Sequence, residues 1–391
     1  MLTVVYWSIS SKQKYQMNEI KKKKVLIIFP YEWIEYYPTY HNLRTCLSEQ
    51  YDIQVLAIAP SYLKIRKKNI HDIEYFKIRG FIAKWAVYLQ NNLAKLHIQF
   101  PIFEYFVALT FLVKALTKKS DVVIGADSIG LWVAQKLSRS PIYLSVDIDE
   151  DDRFFERVKN KKIAAAIIAN EERCEKLQLP VSVKNFIVPN SSIFKNFDMN
   201  LSKRKGLVYC GTTIPQWGIN YYLDYLNHYE QSRITIKGAV NEWFLDQVKQ
   251  RYSHLLDSGR LILNTNYIEN NQLSQFLSNY EIGLCLYDMD LIKPNKRFNQ
   301  LTGSYGKLFS YIAAGVPVIA TNLPGMKLVQ QYNCGVLLDE HSPLAIHQAI
   351  QTIMKDYQSM VNGCISLAQA YSFDKKIKSF IDFLDQNHKT H

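Results

Sequence analysis

The strongest candidate for chemistry in this chain is a lysine in the first turn of a short predicted helix. Lys307 follows Gly303, Ser304 and Gly306, a flexible entry whose backbone N–H groups are free. A helix start carries a partial positive charge, and a lysine adds a full one. The pattern predicts a binding site for a phosphate group.

The residues after Lys307 predict the elements that position it. Leu308, Tyr311 and Ile312 recur at helical spacing and form a buried face. Gly315 ends the helix, and the proline two positions later prevents its continuation. The apolar residues 318–320 then predict a buried strand, so residues 303–321 form a loop, a helix, a turn and a strand.

This stretch carries a resemblance to a known family. The pattern Lys-Leu-Phe-x-Tyr-x-Ala-x-Gly-x-Pro-Val-Ile, residues 307–319, resembles the donor-site motif of the GT-B glycosyltransferases, in particular the retaining family 4 (glycosyltransferase group 1) and its relatives. The resemblance implies that the helix start meets the diphosphate of a nucleotide-sugar. In the family a glutamate on this helix usually holds the ribose hydroxyls, and Ser310 stands at that position here.

Further positions extend the resemblance to both halves of the chain. The family often has an arginine after a glycine at the first strand of the second domain and a lysine some residues on, where this chain has Thr212 and Trp217. Residues 127–131 match an Asp-x-x-Gly-Leu loop, preceded by Ala126 where many members have histidine. Residues 186–191 resemble the family's Pro-Asn segment before the second domain.

The resemblance and the residue chemistry together give a candidate site. We expect the donor to be bound by Gly211, Thr212, Lys237, Ser304, Tyr305, Gly306, Lys307 and Ser310. Lys293, Lys296 and Arg297 are candidates to replace the missing phosphate cations. On the acceptor side the first choice is Asp127, as a general base or an orienting carboxylate, followed by Asp149 and Glu150. A carboxylate at the end of a strand also caps helices, and that alternative stays open for all three.

No metal or other cofactor is expected. In this fold positive side chains and helix dipoles neutralise the leaving diphosphate, and we interpret the Asp288-Met289-Asp290 sequence as an incidental match to a metal-binding motif. The six cysteines contain no Cys-x-x-Cys pair and several lie in apolar runs, which is typical of reduced, buried thiols in a cytosolic protein.

Length and composition favour a globular α/β protein of two domains. The chain has 391 residues, of which 48% are hydrophobic, so it can bury two cores. Apolar runs at residues 25–30, 53–58, 121–127, 141–150 and 163–168 alternate with helical patterns, and a second series starts at residue 207. This alternation predicts parallel sheets.

The predicted fold is therefore GT-B, with two Rossmann-like domains facing a central cleft and a final helix at residues 373–384 that packs back on the first domain. The expected divisions are an N-terminal extension (1–23), an acceptor-binding domain (24–195), a donor-binding domain (206–370), and a C-terminal helix and tail (371–391). Met1 and Met17 are both candidate start residues, and no signal peptide is recognisable.

A net charge of +12 favours anionic partners. Residues 62–119 combine basic clusters with aromatic side chains, which favours docking on an anionic membrane, although a solvated charged face over an ordinary core is the alternative. The long apolar run near residues 98–116 contains a proline and two charges, so we interpret it as a buried helix. No nucleic-acid-binding motif is present.

Three functions remain open from the sequence. The first is transfer of a sugar from a nucleotide-sugar to a glycan or lipid-linked acceptor in cell-surface polysaccharide or glycolipid synthesis, in the cytoplasm or at the inner face of the membrane. The second is a non-catalytic GT-B subunit that regulates or scaffolds another transferase, which Ser310, Thr212 and Trp217 favour. The third is a GT-B epimerase or hydrolase acting on a nucleotide-sugar.

Overall fold

The structure is a computed structural model. It describes residues 22–59, 72–78, 80–95, 100–195, 200–266, 268–303 and 305–387. Most of the predicted N-terminal extension, the basic cluster at residues 64–68 and Ser304 lie outside the described residues.

The first half of the chain forms a seven-stranded parallel sheet with the order β3-β2-β1-β4-β5-β6-β7. Its central strands are continuous apolar runs because helices cover both faces of the sheet. Ile27 of the first strand, for example, pairs with Val55 on one side and Ile124 on the other. The strands are β1 (Lys23–Phe29), β2 (Tyr51–Ile58), β3 (Ile73–Phe76), β4 (Val122–Ala126), β5 (Ile142–Leu144), β6 (Ala165–Ile168) and β7 (Lys184–Ile187).

Helices connect these strands as parallel crossovers require. They are α1 (Pro38–Leu47), α2 (Gly80–Lys95), α3 (Ile102–Ala115), α4 (Asp127–Leu137), α5 (Arg153–Val158) and α6 (Glu171–Leu177). Helix α1 begins at Pro38, because proline suits the first helical position, where its missing N–H costs nothing.

The second half repeats the plan with six parallel strands in the order β10-β9-β8-β11-β12-β13. The strands are β8 (Leu207–Cys210), β9 (Ile234–Lys237), β10 (Leu261–Asn264), β11 (Ile282–Cys285), β12 (Val318–Thr321) and β13 (Gly335–Leu338). The helices are α7 (Ile219–His228), α8 (Glu242–Arg251), α9 (Ser253–Asp257), α10 (Asn270–Leu277), α11 (Arg297–Leu301), α12 (Gly306–Ala313), α13 (Leu328–Gln331), α14 (Pro343–Lys355), α15 (Tyr357–Ala370) and α16 (Phe373–Asn387).

The last helix returns to the first sheet, as predicted. Phe373, Ile377, Phe380 and Leu384 of α16 are at most 2% exposed and belong to the core of the first sheet. The ring of Phe380 meets that of Phe186 on β7 edge to face, with centroids 5.4 Å apart. The predicted two-sheet α/β fold with a returning C-terminal helix is thereby confirmed.

One predicted strand is much shorter in the structure. The apolar run 141–150 forms a strand only up to Leu144. The backbone N–H of Val146 donates to the Asp127 carboxylate, and both backbone groups of Ile148 bond to the Asn299 amide. Because these groups are satisfied by side chains, residues 146–152 leave the sheet and form a loop at its carboxyl edge.

The apolar helix near residues 98–116 is only half buried, which corrects the prediction of a buried helix. One side of α3 carries Val107, Ala108 and Phe111 in the core, whereas Val113 is 66% exposed. No helix within the described ranges is long and apolar enough to cross a membrane.

Candidate functional site

Lys307 occupies an aromatic box at the start of α12. Its Nζ lies 4.1 Å from the ring centroid of Trp217, 4.7 Å from that of Tyr209 and 5.2 Å from that of Tyr287, and it donates a 3.1 Å hydrogen bond to the Tyr209 hydroxyl. The rings attract the ammonium through their negative faces. The three rings come from the carboxyl ends of β8 and β11 and from the turn at Pro215–Trp217.

The charge of Lys307 has no carboxylate partner in the part of the chain that the structure describes. Burial among the rings lowers the pKa of Lys307 to about 8, against a smaller opposing effect of the Cys285 and Cys210 thiols. A cation that is desolvated and unpaired at a helix start is placed to receive an anion.

Gly211 lies directly against this lysine. Its φ is 153°, a region that favours glycine, and a Cβ at this position would lie 2.9 Å from the Lys307 Cε and 3.0 Å from the Tyr209 hydroxyl. Its backbone N–H donates to the carbonyl of Lys237 across the sheet. The predicted donor residues Gly211, Lys237 and Lys307 are therefore neighbours.

Lys237 is buried, and its side chain points toward the end of β10. Its Nζ donates to the Asn264 side chain at 3.1 Å and to the Asn266 carbonyl, and burial lowers its pKa. Thr212 contributes a carbonyl that accepts from the Tyr209 hydroxyl at 2.7 Å. Thr212 therefore supports the aromatic box through the Tyr209 hydroxyl, whereas Lys237 is held at the end of β10.

The remaining predicted donor residues on α12 have internal roles. Tyr305 is 7% exposed and precedes the helix, and its ring packs 5.1 Å from that of Tyr287. The Ser310 hydroxyl donates to the Gly306 carbonyl one turn earlier at 2.8 Å. This bond engages the hydroxyl within its own helix. Ser310 therefore occupies the position of the family glutamate without taking over its contact.

Helix α12 is held in its C-terminal half and at its C-terminal end. The Tyr311 hydroxyl accepts from the Cys210 N–H at 2.7 Å and donates to the Leu284 carbonyl at 3.2 Å, which ties the helix to β8 and β11. At the C-terminal end the Arg204 guanidinium, 3% exposed, donates to the carbonyls of Gly315 at 2.6 Å and Ala314 at 3.1 Å. A cation on these carbonyls complements the helix dipole.

Asp127 lies at the carboxyl edge of the first sheet, between β4 and α4. It is 5% exposed, has a positive φ of 46°, and accepts from the Tyr31 hydroxyl and from the backbone N–H groups of Val146 at 2.7 Å and Asp147 at 3.3 Å. Burial, then the nearby Asp147 charge, raises its pKa to about 7, although the hydrogen bonds act in the opposite direction. Asp127 thus fixes the loop that follows β5.

Asp149 and Glu150 form ion pairs. Asp149 lies 2.8 Å from the Nζ of Lys296 and accepts from the Asn295 amide at 3.1 Å, and Glu150 lies 3.2 Å from Lys176. Lys296 therefore pairs with a residue of the first half of the chain instead of replacing one of the missing phosphate-binding cations. The Arg297 guanidinium donates to the Ile292 carbonyl at 3.3 Å.

The carboxyl edges of the two sheets meet at a polar junction. The Asn299 amide bonds to both backbone groups of Ile148, at 2.8 and 2.7 Å, and to the buried Arg173 guanidinium at 3.1 Å. Nearby, a Cβ on Gly306 would lie 3.0 Å from the Asn190 amide, so the α12 start directly faces the first sheet. The candidate donor residues therefore face loops of the opposite sheet.

Several residues of this region were missed by sequence reasoning. Tyr287 lies two residues after the end of β11, and this position is a signal for the carboxyl edge of a parallel sheet. At Trp217 the sequence indicated only that the lysine often found in the family at this position is absent. Asn299 and Arg173 carry no sequence signal, since their roles depend on how the two sheets meet.

The described residues contain no group of three or more histidine, cysteine or acidic side chains that could hold a metal ion. Asp288 caps a short 3-10 turn by accepting from the Asp290 N–H at 3.2 Å. All six cysteines are free thiols.

Comparisons with known proteins identify the fold. Neither a family model nor a curated protein sequence matches the chain. The structure is similar to Anabaena Alr3699/HepE in complex with UDP-glucose, with a TM-score of 0.63 and 14% identity over 93% of this chain and 99% of that one.

Two further solved structures show the same arrangement. Trehalose-6-phosphate synthase OtsA has a TM-score of 0.61 and 11% identity, over 93% of this chain and 99% of that one. The apo form of the lipopolysaccharide outer core galactosyltransferase WaaB has a TM-score of 0.58 and 14% identity, over 92% and 99%. The chain therefore has the GT-B fold.

Proposed function

We propose that this protein is a glycosyltransferase that moves a sugar from a nucleotide-sugar to an acceptor hydroxyl. The observation that carries the proposal is Lys307, a partly buried cation without a carboxylate partner among the described residues, at the start of a helix that faces the opposite sheet. A nucleoside diphosphate supplies the anion that this arrangement lacks. Solved structures of this fold contain UDP and UDP-glucose.

In the proposed reaction the bond between the anomeric carbon and the diphosphate oxygen breaks, and a bond to the acceptor oxygen forms. Lys307 and the α12 backbone N–H groups stabilise the charge that develops on the leaving diphosphate. This positive charge takes the place of a metal ion, so the proposal is metal-independent. Retention of anomeric configuration is part of the proposal through the resemblance of residues 307–319 to the retaining family 4.

On the acceptor side we propose Asp127 as the orienting carboxylate. Its pKa of about 7 suits a group that exchanges a proton near neutrality, and its bond to Tyr31 links it to the loop after β1. Asp149 and Glu150 rank behind it because both are engaged in ion pairs.

We further propose a glycan or lipid-linked acceptor in cell-surface polysaccharide or glycolipid synthesis, with the protein in the cytoplasm. One solved structure of the same fold is a lipopolysaccharide galactosyltransferase. The free thiols suit a reducing compartment.

A second function is favoured by two observations around Lys307. Trp217 covers Lys307 at 4.1 Å, where the family often has a lysine, and the Ser310 hydroxyl is bonded inside its helix. A closed box of this kind suits a non-catalytic subunit that retains the fold without binding a donor.

Screening UDP-, GDP-, ADP-, CMP- and dTDP-sugars by thermal shift, followed by turnover with the stabilising donor, separates the two functions. An active transferase is stabilised by at least one nucleotide-sugar, because a ligand of the native state raises its apparent stability. Turnover should fall at least about 100-fold in Lys307→Ala, by analogy with the loss of one donor to a developing charge.

The matched control is Lys327→Ala, an exposed lysine of the same half of the chain, which should retain full turnover. Absence of stabilisation by every donor would favour the non-catalytic subunit. Release of a free or epimerised sugar without acceptor would favour the epimerase or hydrolase.

A further inference from the structure

Helix α3 exposes an apolar stripe to solvent. Leu109, Val113 and Leu116, at positions i, i+4 and i+7, are 51%, 66% and 68% exposed. The opposite side of the same helix is buried against the first sheet. Exposed aliphatic side chains in a row are unusual on a free protein surface.

Helix α2 packs on α3 and adds aromatic side chains. Its Gln90 side chain accepts from the N–H of Phe103, at 2.8 Å, which fixes the two helices together. Trp85 is 55% exposed and Tyr88 is 64% exposed. Tryptophan and tyrosine are the residues that prefer the boundary between lipid headgroups and acyl chains.

The segment that contains α2 and α3 carries an almost purely positive charge. Residues 80–119 contain five lysines and a single acid, Glu104, which lies in the first turn of α3. Lys84, Lys95, Lys114 and Lys119 are all exposed.

We propose that this surface is a docking face for an anionic lipid membrane, formed by Trp85, Val87, Tyr88, Leu109, Val113 and Leu116 and surrounded by Lys84, Lys95, Lys114 and Lys119. Lysines attract anionic headgroups while the apolar side chains insert among them. The aliphatic stripe provides no contact to nucleic-acid phosphates. In this proposal α2 and α3 lie on the membrane surface and do not cross it. None of the described helices is long and apolar enough to span a bilayer.

This inference goes beyond the proposed function, since it concerns a surface on α2 and α3 and not the Lys307 site. The test is co-sedimentation of the full chain with vesicles of pure phosphatidylcholine and of phosphatidylcholine mixed with phosphatidylglycerol. The wild type should pellet with the anionic vesicles at low salt and be largely released at high salt, because screening weakens the lysine contribution.

Two double variants test the charged side chains and the apolar side chains of this surface separately. Lys114→Gln with Lys119→Gln should lower the partition coefficient on anionic vesicles about fivefold per lysine. Val113→Asp with Leu116→Asp should abolish pelleting. The matched controls are Lys355→Gln and Leu344→Asp, of which Leu344 is an apolar side chain on α14 that is 58% exposed.

Since all substituted side chains are exposed, each variant should keep the circular dichroism spectrum and melting temperature of the wild type. Failure of the wild type to pellet, or equal loss in the controls, would overturn the proposal. Self-association that Val113→Asp with Leu116→Asp breaks, without vesicle binding, would also overturn it and identify a second copy as the occupant. Lys307→Ala should pellet as the wild type does, which keeps this test separate from that of the proposed function.

Discussion

At the scale of single residues, burial shifts the pKa of two side chains, Lys307 and Asp127. Three aromatic rings shield Lys307 from solvent, and the loop after β5 shields Asp127. The two pKa values move toward neutrality from opposite sides. Both groups therefore change protonation in a range where binding and stability are easily measured.

The affinity for a nucleoside diphosphate should fall above about pH 8. The pKa of Lys307 is lowered to about 8 in the free protein, so its positive charge is lost as the pH rises through that value. If the charge is required, affinity falls by up to roughly tenfold per pH unit. Calorimetric titration of UDP across this range measures the effect.

Lys307→Arg is the matched control, since a guanidinium keeps its charge throughout this range. Its affinity should stay flat where that of the wild type falls. Equal pH profiles of the two proteins would show that Lys307 is not the titrating group.

Asp127→Asn should remove a pH dependence from the free energy of unfolding. The carboxyl has a pKa of about 7 in the folded state, raised from 3.8. As the pH rises, the unfolded state therefore releases its proton before the folded state does. The free energy of unfolding of the wild type decreases between about pH 4 and 7. The loss amounts to at most about 4 kcal/mol. Asparagine also tolerates the positive φ of this position.

Urea unfolding at several pH values measures this difference, with Asp52→Asn as the control at an exposed position. The Asp52→Asn curve should run parallel to that of the wild type, and the Asp127→Asn curve should be flatter. Parallel curves for all three proteins would contradict the raised pKa.

At the scale of elements, the site depends on how α12 is anchored to the second sheet. Tyr311 joins its middle to β8 and β11, and Arg204 neutralises the carbonyls at its end. Gly315, with φ of 63°, completes the turn into β12. A helix that is anchored in this way presents its first turn with little freedom, which suits a phosphate site.

Arg204→Met should destabilise the protein by about 2–4 kcal/mol, because two buried carbonyls lose a charged donor. Urea unfolding measures the loss. Arg251→Met, at an exposed position on α8, is the control and should be nearly neutral. Equal stability of the two variants would show that Arg204 does not stabilise the end of α12.

Most elements near the site follow from local sequence signals. The period of α12, the glycine at its end and the apolar run of β12 predicted their positions within a residue or two. The end of β5 could not be predicted from the local sequence. Residues 146–148 bond to the side chains of Asp127 and Asn299 instead of to neighbouring strands, and both partners are distant in sequence. The aromatic box was missed for the same reason, since Trp217 meets Lys307 only in the folded chain.

At the scale of the whole molecule, the contacts that join the two sheets in the described part of the chain include a polar junction and the last helix. One is the polar junction at Asn299, Arg173 and Ile148 beside the site. The other is α16, whose apolar face completes the core of the first sheet although its sequence follows the second. The last helix is thus part of the folding unit of the first half.

Phe380→Ala should therefore destabilise the first half of the molecule by about 3–5 kcal/mol, the usual effect of emptying a buried aromatic site. Lys378→Ala, exposed on the same helix, is the control. Hydrogen exchange should localise the loss of protection to strands of the first sheet. Loss confined to β8–β13 would contradict this organisation.

The most direct test of the central claim is calorimetric titration of UDP, GDP, ADP and their sugar conjugates into the wild type, Lys307→Met and Lys327→Met. We predict saturable binding of at least one nucleotide to the wild type and to Lys327→Met, and a loss of at least about tenfold in affinity in Lys307→Met, equivalent to ~1.4 kcal/mol. Wild-type affinity in Lys307→Met, or no binding of any nucleotide to the wild type, would contradict a donor site at the start of α12.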